Sequence, residues 1–189
     1  ITNQTYDNWQ IIVFSTDSLK NTSRVNELIE RNNSKIVFYD KLSDTSFNNI
    51  FSFNGDFMGF LDTGIELSKF ALYEFISEIN QHPNSEILYS DHDYLDENNV
   101  RVDPFFKPNW SPYLFRSTDY LSSFYIIKKT VLEKINSHLI IHNCFNFDIL
   151  LQSTEITKFL HHISIPLYSI KNNQMLIHLV IMVIMRHLR

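Results

Sequence analysis

Two groups of carboxylates that could hold a metal ion lie next to apolar runs in the sequence. Asp62 directly follows the run FMGFL, and the segment YSDHDYLDE carries Asp91, His92 and Asp93 at the end of another run. A divalent cation bound to a diphosphate needs hard oxygen ligands, and one or two carboxylates together with the phosphates usually suffice. By itself, an acidic loop such as YSDHDYLDE is more typical of a solvated turn after a strand. If both groups of carboxylates lie at the same edge of a sheet, a cation site becomes the favoured interpretation.

Strands and helices in alternation must position these carboxylates. β-branched and aromatic runs predict strands at 10–14, 35–39, 57–61 and 86–91. Helical spacing of apolar residues predicts a helix at 23–31 and a second helix at 66–81, with Ser68 as its N-cap. This alternation favours a mostly parallel sheet with helices on both faces, which is an α/β fold. Ligands gather beyond the carboxyl ends of such strands, where we expect Asp62 and Asp91.

The second half of the chain is less regular. The segment 102–115 has three prolines and five aromatic residues without a helical or alternating period, which predicts an ordered, packed loop. Further strands are predicted at 122–128 and 163–170, and further helices at 130–135 and 147–155.

Composition limits the classes of function. The chain has 189 residues, of which 44% are hydrophobic, enough for one sizeable core. We expect one domain over 1–171, incomplete at its amino end because the chain opens with ITNQTYDNW and not with a start methionine. The net charge of -5 and scattered Lys and Arg argue against a nucleic-acid partner. The single cysteine, Cys144, excludes an intrachain disulfide and fits the cytoplasm.

The last segment, 172–189, is mainly apolar and ends with Arg186, His187 and Arg189. Its apolar part is too short to span a bilayer, which needs about 20 residues. We predict a C-terminal helix that packs on the core. The alternative is an interfacial helix over 174–189 that contacts the inner face of the cell membrane.

The segments together resemble family-2 inverting glycosyltransferases of the GT-A fold. The resemblance is carried by QTYDNWQIIV, GDFMGFLDTGIELSKFALYEFISEINQHP and EILYSDHDYLDENNVRVDPFFKPNWSPYLF, in this order. It covers Gln4 to about Lys171, and the block YSD, DPFFKP and NWSP is its most specific part. It is similar in particular to bacterial rhamnosyl and O-antigen transferases that build surface polysaccharides. It implies a Rossmann-like mixed sheet, mostly parallel and flanked by helices, that lacks the family's first strand.

The resemblance also implies a donor site made of carboxylates. Where the family has an Asp pair that reads the nucleotide, the chain reads STDS, which leaves Asp17 as the expected contact. The family's LD-x-DD motif binds the cation and the diphosphate, and LDTGI keeps only its first Asp, Asp62. Asp62 is therefore the implied ligand of Mg²⁺ or Mn²⁺. Asp91 and Asp93 are implied to orient the donor sugar.

The catalytic base of the family lies in a segment like SQDYDLLLRL. HNCFNFDILLQSTE aligns with it and puts Asn146 at the base position. An amide cannot take a proton, so Asp148 is the expected substitute base. Lys107 and Trp110 are implied to line the acceptor side. The adjacent His161 and His162 could be ligands, although packed histidines are more common.

Two functions follow from the resemblance. The first is a glycosyltransferase of hexosyl or rhamnosyl type that moves a sugar from a nucleotide-diphosphate sugar to a glycan or lipid-linked acceptor with inversion. It would act in surface polysaccharide synthesis. The second is a catalytically degenerate module that binds a glycan or a partner transferase, because all three polar motifs depart from the family. A metal-dependent phosphoesterase is the weakest interpretation, because no His has recognisable ligand spacing.

Overall fold

The computed structural model describes residues 3–15, 35–39, 53–62, 64–136, 145–171 and 179–186. Within these ranges the chain forms one nine-stranded sheet and four helices. The strands are β1 (Trp9–Ser15), β2 (Ile36–Tyr39), β3 (Phe57–Leu61), β4 (Ile65–Leu67), β5 (Ile87–Leu95), β6 (Arg101–Phe105), β7 (Phe124–Lys128), β8 (Leu160–Lys171) and β9 (Leu179–Met185). The helices are α1 (Ala71–Gln81), α2 (Pro112–Ser117), α3 (Lys129–Leu132) and α4 (Phe145–Ile156).

The sheet is mixed. Its order is β2-β1-β9-β3-β7-β5-β8-β4, and β6 pairs with β5 outside this path. The β1/β2 and β5/β8 pairs are parallel, whereas the other pairs between described strands are antiparallel. The α/β class with flanking helices is confirmed, but the prediction of a mostly parallel sheet is wrong.

Strands from the second half of the chain cause this difference. β9 lies between β1 and β3, and β7 lies between β3 and β5, each antiparallel to both neighbours. It follows that five strands run in one direction, although they are not all neighbours in the sheet. These strands are β1, β2, β3, β5 and β8. Their carboxyl ends point to the same edge of the sheet, and Asp62 lies at this edge, directly after β3.

An apolar cluster covers each face of the sheet. Alternate residues of β7 point to opposite faces. Phe124 and Ile126 lie in the cluster that α1 covers, and Tyr125 and Ile127 lie in the cluster covered by α3 and α4. The face of α1 that packs on the sheet consists of Leu72, Phe75, Ile76 and Ile79 together with Ala71.

The start of α1 differs from the prediction of a helix at 66–81 capped by Ser68. The residues Ile65–Leu67 form β4 and pair with β8, and the Ser68 N–H donates to the Leu167 carbonyl at 2.9 Å. Helix α1 therefore begins at Ala71. Gln4, and not Ser68, accepts a side-chain hydrogen bond from the first turn of the helix: the Leu72 N–H donates to Gln4 Oε1 at 3.0 Å.

The segment 102–115 is not a continuous loop. Its first part belongs to β6, an outer strand paired only with β5 among the described strands. Pro104 is tolerated there because an outer strand can lack one hydrogen-bond donor. The neighbouring Asp103 has a positive φ of 48°, which accompanies a bulge opposite His92 and Tyr94. Pro112 begins α2, a position that needs no N–H donor.

The predicted C-terminal helix over 172–189 is wrong where the chain is described. Leu179–Met185 is the strand β9, which lies between β1 and β3. Val183, Ile184 and Met185 are all buried, as expected of a central strand covered on both faces. These three residues therefore pack in the protein interior and cannot contact a membrane. No helix within the described ranges combines the length and apolar character needed to cross a bilayer.

Most of the remaining predicted elements are confirmed. They are the strands at 10–14, 35–39, 57–61, 122–128 and 163–170 and the helices at 130–135 and 147–155, with small shifts of their ends. The strand predicted at 86–91 is β5, which continues to Leu95. The helix predicted at 23–31 lies outside the described residues.

Candidate functional site

Asp62 and Asn146 lie in direct contact at the shared strand edge. Asn146 Nδ2 donates a hydrogen bond to Asp62 Oδ1. Asp62 follows β3, and its backbone N–H donates to the Ser123 carbonyl at 3.1 Å, which fixes the strand end beside the start of β7. Asn146 is in the first turn of α4. The fold thus brings together the position expected to bind the cation and the position expected to hold the base.

Asp62 holds its proton more tightly than an ordinary carboxyl. Loss of hydration raises the pKa of Asp62 to about 6, the Asn146 hydrogen bond lowers this pKa, and the negative charge of Asp119 raises it. The residue also has exposed surface, so solvent screens part of these interactions. Asp119 therefore adds negative charge to the surroundings of Asp62.

The charges of Asp62 and Asp119 also act on the hydroxyls of Tyr125 and Tyr168. Burial raises the pKa of both tyrosines, and the charges of Asp62 and Asp119 raise it further. Tyr125 Oη donates to the Asn146 backbone carbonyl at 2.5 Å, which ties the start of α4 to β7. The two tyrosines are therefore neutral hydroxyls at physiological pH.

The side-chain oxygen of Asn146 is a buried acceptor. Asn146 Oδ1 has no hydrogen-bond partner within the described part of the chain. Leaving a buried polar atom unpaired costs roughly 1–3 kcal/mol. Carbonyl oxygens of Asn are also ordinary ligands of hard cations.

Lys107 is a buried amine that contacts Tyr168. Its side chain is buried, and Nζ donates to Tyr168 Oη at 2.6 Å. Burial lowers the pKa of Lys107 to about 7, while the charges of Asp91 and Asp119 act in the opposite direction. Lys107 was predicted on the acceptor side. The structure places it in the interior, where it links Tyr168 to the segment that follows β6.

Asp91 is an interior anchor and not a strand-end carboxylate. It is 1% exposed and lies within β5. Its Oδ1 accepts hydrogen bonds from His162 Nε2 at 2.7 Å and from the Lys107 N–H at 2.8 Å. The His162 ring stacks on Tyr89, with centroids 4.9 Å apart.

Asp93 connects three strands. Its Oδ2 accepts from Arg101 Nε at 2.6 Å, and its Oδ1 accepts from Ser169 Oγ at 2.5 Å. Both oxygens are therefore engaged between β5, β6 and β8. The structure does not bring Asp93 into contact with Asp62.

The remaining predicted residues are dispersed. Trp110 packs against Phe115, with ring centroids 5.5 Å apart. Asp148 lies in the first turn of α4, and residues two apart on a helix do not share a face, so it projects differently from Asn146. Glu66 pairs with Lys171 at 3.2 Å, across β4 and β8, and does not join Asp62. Asp17 lies outside the described residues.

The sequence interpretation did not identify Asp119, Tyr168 or the role of His162. The segment STDYLSS, which contains Asp119, reads only as a turn, and the Leu121 and Ser122 N–H groups donate to Asp119 Oδ1 as in such a turn. The His pair did carry a signal. Adjacent residues of a strand point to opposite faces, so extending the predicted strand by two residues would have assigned one histidine to each face.

No protein-family model matches the chain. The chain is 37% identical over 118 residues to the "O-antigen biosynthesis protein RfbC" of Myxococcus xanthus, covering 60% of this chain and 9% of that protein. It is 26% identical over 175 residues to the "Uncharacterized protein y4gI" of Sinorhizobium fredii, covering 88% of this chain and 19% of that protein. The chain therefore spans only a small part of the length of both relatives.

Proposed function

We propose that the chain acts in surface polysaccharide synthesis, as a domain that transfers a sugar from a nucleotide-diphosphate sugar to a glycan or lipid-linked acceptor with inversion. The observation that carries this proposal is the hydrogen bond between Asn146 and Asp62. A cation site and a base must face one substrate, and the two positions that the resemblance assigns to them are in contact. The similarity of 118 residues to an O-antigen biosynthesis protein supports the same process.

The residues of this site fit Mg²⁺ or Mn²⁺. Asp62 supplies a carboxylate, and Asp119 supplies a second negative charge. A half-turn of the Asn146 amide exchanges Nδ2 and Oδ1. It would direct Oδ1, which has no partner among the described residues, toward a cation held by Asp62. The cation, when bound, offsets the charge that develops on the leaving diphosphate.

The proposed reaction is one displacement. A base takes the proton of the acceptor hydroxyl, the acceptor oxygen bonds to the anomeric carbon, and the diphosphate leaves with the electron pair of the broken bond. We propose Asp119 as the base in place of Asp148, because it is exposed to solvent and its charge raises the pKa of Asp62. Hydrogen bonds from the Leu121 and Ser122 N–H groups and from Ser122 Oγ hold its carboxylate in place. Asp148 instead projects from a different side of α4 than Asn146.

Titration calorimetry with UDP, GDP and dTDP, each with Mg²⁺ or Mn²⁺, tests the binding part of this proposal. We expect micromolar, cation-dependent binding of one nucleotide that is lost in Asp62→Asn. Glu66→Gln is the matched control, because it removes a charge close in sequence that pairs with Lys171. Absence of binding to all three nucleotides by the folded protein would contradict the proposal.

A second function is favoured by one specific observation. Asn146 is an amide at the base position, and its side chain donates a hydrogen bond to the Asp62 carboxylate. Such an arrangement suits a domain that binds a donor or glycan without transferring sugar. Release of nucleoside diphosphate from donor sugars distinguishes the two functions. Release that falls in Asp119→Asn but persists in Asp148→Asn supports the enzyme, and binding without release supports the non-catalytic domain.

A further inference from the structure

A second cluster of metal-ligating side chains lies where α1 ends and β8 begins. It consists of Glu78 of α1, His82 directly after α1, and His161 of β8. One donor atom from each residue lies within 4.8 Å of the others. The cluster is distinct from the candidate site, because it lies near the amino ends of β5 and β8 whereas Asp62 follows the carboxyl end of β3.

The fold positions these three side chains by simple rules. Glu78 lies in the last turn of α1, and His82 is the residue that directly follows the helix. The His82 backbone N–H donates to the Glu78 carbonyl at 2.8 Å, which holds the two residues together. His161 is paired with Leu88 in the sheet, and Leu88 belongs to the apolar cluster under α1. His162 points to the other face, toward Asp91. His161 therefore faces the helix.

The spacing of the donor atoms suits a tetrahedral ion. Glu78 Oε2 is 2.9 Å from His161 Nε2 and 3.5 Å from His82 Nε2. Ligands bonded to Zn²⁺ at about 2.0–2.1 Å in a tetrahedral site are separated by about 3.3 Å. The two imidazole rings are close, with centroids 4.2 Å apart, and their donor nitrogens lie within 4.8 Å of each other. Binding of one ion requires the rings to rotate so that both nitrogens point toward it.

The ligand set also selects the kind of metal. Two imidazole nitrogens and one carboxylate suit Zn²⁺ and its first-row neighbours and not Mg²⁺ or Ca²⁺, which prefer oxygen ligands. His82 and His161 also line an open cavity of about 350 Å³ bordered by Lys158 and Phe159. Solvent from this cavity can complete the coordination.

We propose that Glu78, His82 and His161 form a Zn²⁺ site that fixes the end of α1 to the start of β8. The site joins a helix and a strand that are far apart in sequence, so an ion bound there stabilises the folded state over the unfolded state. It is independent of the proposed nucleotide-sugar site.

Calorimetric titration of the untagged protein with Zn²⁺ at pH 7.5 tests the site. We expect one ion per chain and at least about 100-fold weaker binding in Glu78→Gln, because loss of a direct ligand exceeds the roughly 10–100-fold effect of losing an outer partner. Glu74→Gln, one turn earlier on α1, is the charge-matched control and should bind as the wild type does. His82→Ala is a second ligand variant, at a side chain 51% exposed and therefore of little consequence for folding.

Thermal unfolding gives an independent measure. At Zn²⁺ about 100-fold above the dissociation constant we expect the wild-type melting temperature to rise by roughly 5–10 °C, and the rise to disappear in Glu78→Gln and His82→Ala. Equal Zn²⁺ affinity in the wild type and both ligand variants would overturn the proposal. Failure of the wild type to bind Zn²⁺ would overturn it as well, as would binding that is lost in Asp62→Asn.

Discussion

Asn146 donates a side-chain hydrogen bond to the carboxylate of Asp62, although the two residues are 84 positions apart in the chain. One belongs to the start of α4 and the other follows β3. The contact explains why a lone carboxylate at a strand end is not simply solvated. It also connects the one Asp that the chain keeps from the family's cation-binding motif with the position where an Asn stands in place of the family's base.

The raised pKa of Asp62 predicts a pH-dependent cost to stability. Because the folded pKa of about 6 lies above the unfolded value, the folded state binds more protons between about pH 4 and pH 6. Ionised Asp62 therefore destabilises the fold above pH 6, and this cost vanishes as the pH falls to 4. We expect Asp62→Asn to gain up to about 1 kcal/mol over the wild type at pH 7.5, a value discounted for solvent exposure. Urea unfolding at both pH values measures it, and a gain that is equal at pH 4 and pH 7.5 would contradict this assignment.

Replacing the amide of Asn146 also tests its contact with Asp62. Asn146→Asp would place two carboxylates together, so we expect a loss of about 1–3 kcal/mol at pH 8 that shrinks at pH 5, where the pair shares a proton. Mg²⁺ or Mn²⁺ should stabilise this variant more than the wild type. Asn98→Asp, in an exposed turn, is the control. Equal stabilisation of all three proteins by the cation would argue against a cation site at Asp62.

The lowered pKa of Lys107 predicts the opposite pH dependence of folding stability. Because burial lowers its folded pKa to about 7, the folded state binds fewer protons than the unfolded state between about pH 7 and pH 10, so stability rises with pH over this range. Lys107→Met keeps the apolar stem and removes the amine. We expect the difference between wild type and variant to shift in favour of the wild type by about 2–4 kcal/mol from pH 7 to pH 10. A difference that does not change with pH, measured by urea unfolding, would mean that Lys107 is charged in the folded state.

Asp91 is expected to stabilise the fold and not to bind substrate directly. Asp91→Asn weakens an acceptor that is shared by His162 and the Lys107 N–H, and we expect a loss of about 2–4 kcal/mol in unfolding free energy. Asp103→Asn is the control, since Asn tolerates the positive φ of this exposed residue. Nucleotide affinity should be unchanged in folded Asp91→Asn, and a specific loss of affinity would assign Asp91 to the donor site.

Local patterns were sufficient to predict most elements of the fold. Apolar runs marked β1, β2, β3 and β7 because a buried strand needs little beyond its own residues. The sheet order could not be predicted in the same way. The run LVIMVIM of β9 is equally compatible with a packed helix, and only its pairing with both β1 and β3 decides the matter.

The candidate site shows the same limit. Asp62 was identified because it ends a strand, which is a local feature. Asp119 and Tyr168 were missed because their roles arise from proximity across the fold. Asp91 and Asp93 were interpreted as donor ligands, but β5 extends through both of them, so they are buried among partners from β6 and β8.

The Asn146 side-chain amide offers the most direct test of the proposed cation and nucleotide site. Its ¹⁵N NMR signals can be assigned by their loss in Asn146→Asp, and Glu78→Gln serves as the background to remove the second metal cluster. We expect the nucleotide that binds in calorimetry to broaden these signals strongly when added with Mn²⁺, and only to shift them when added with Mg²⁺. Unchanged Asn146 signals while the nucleotide and Mn²⁺ are bound would place the ligand elsewhere and contradict the proposed site at Asp62.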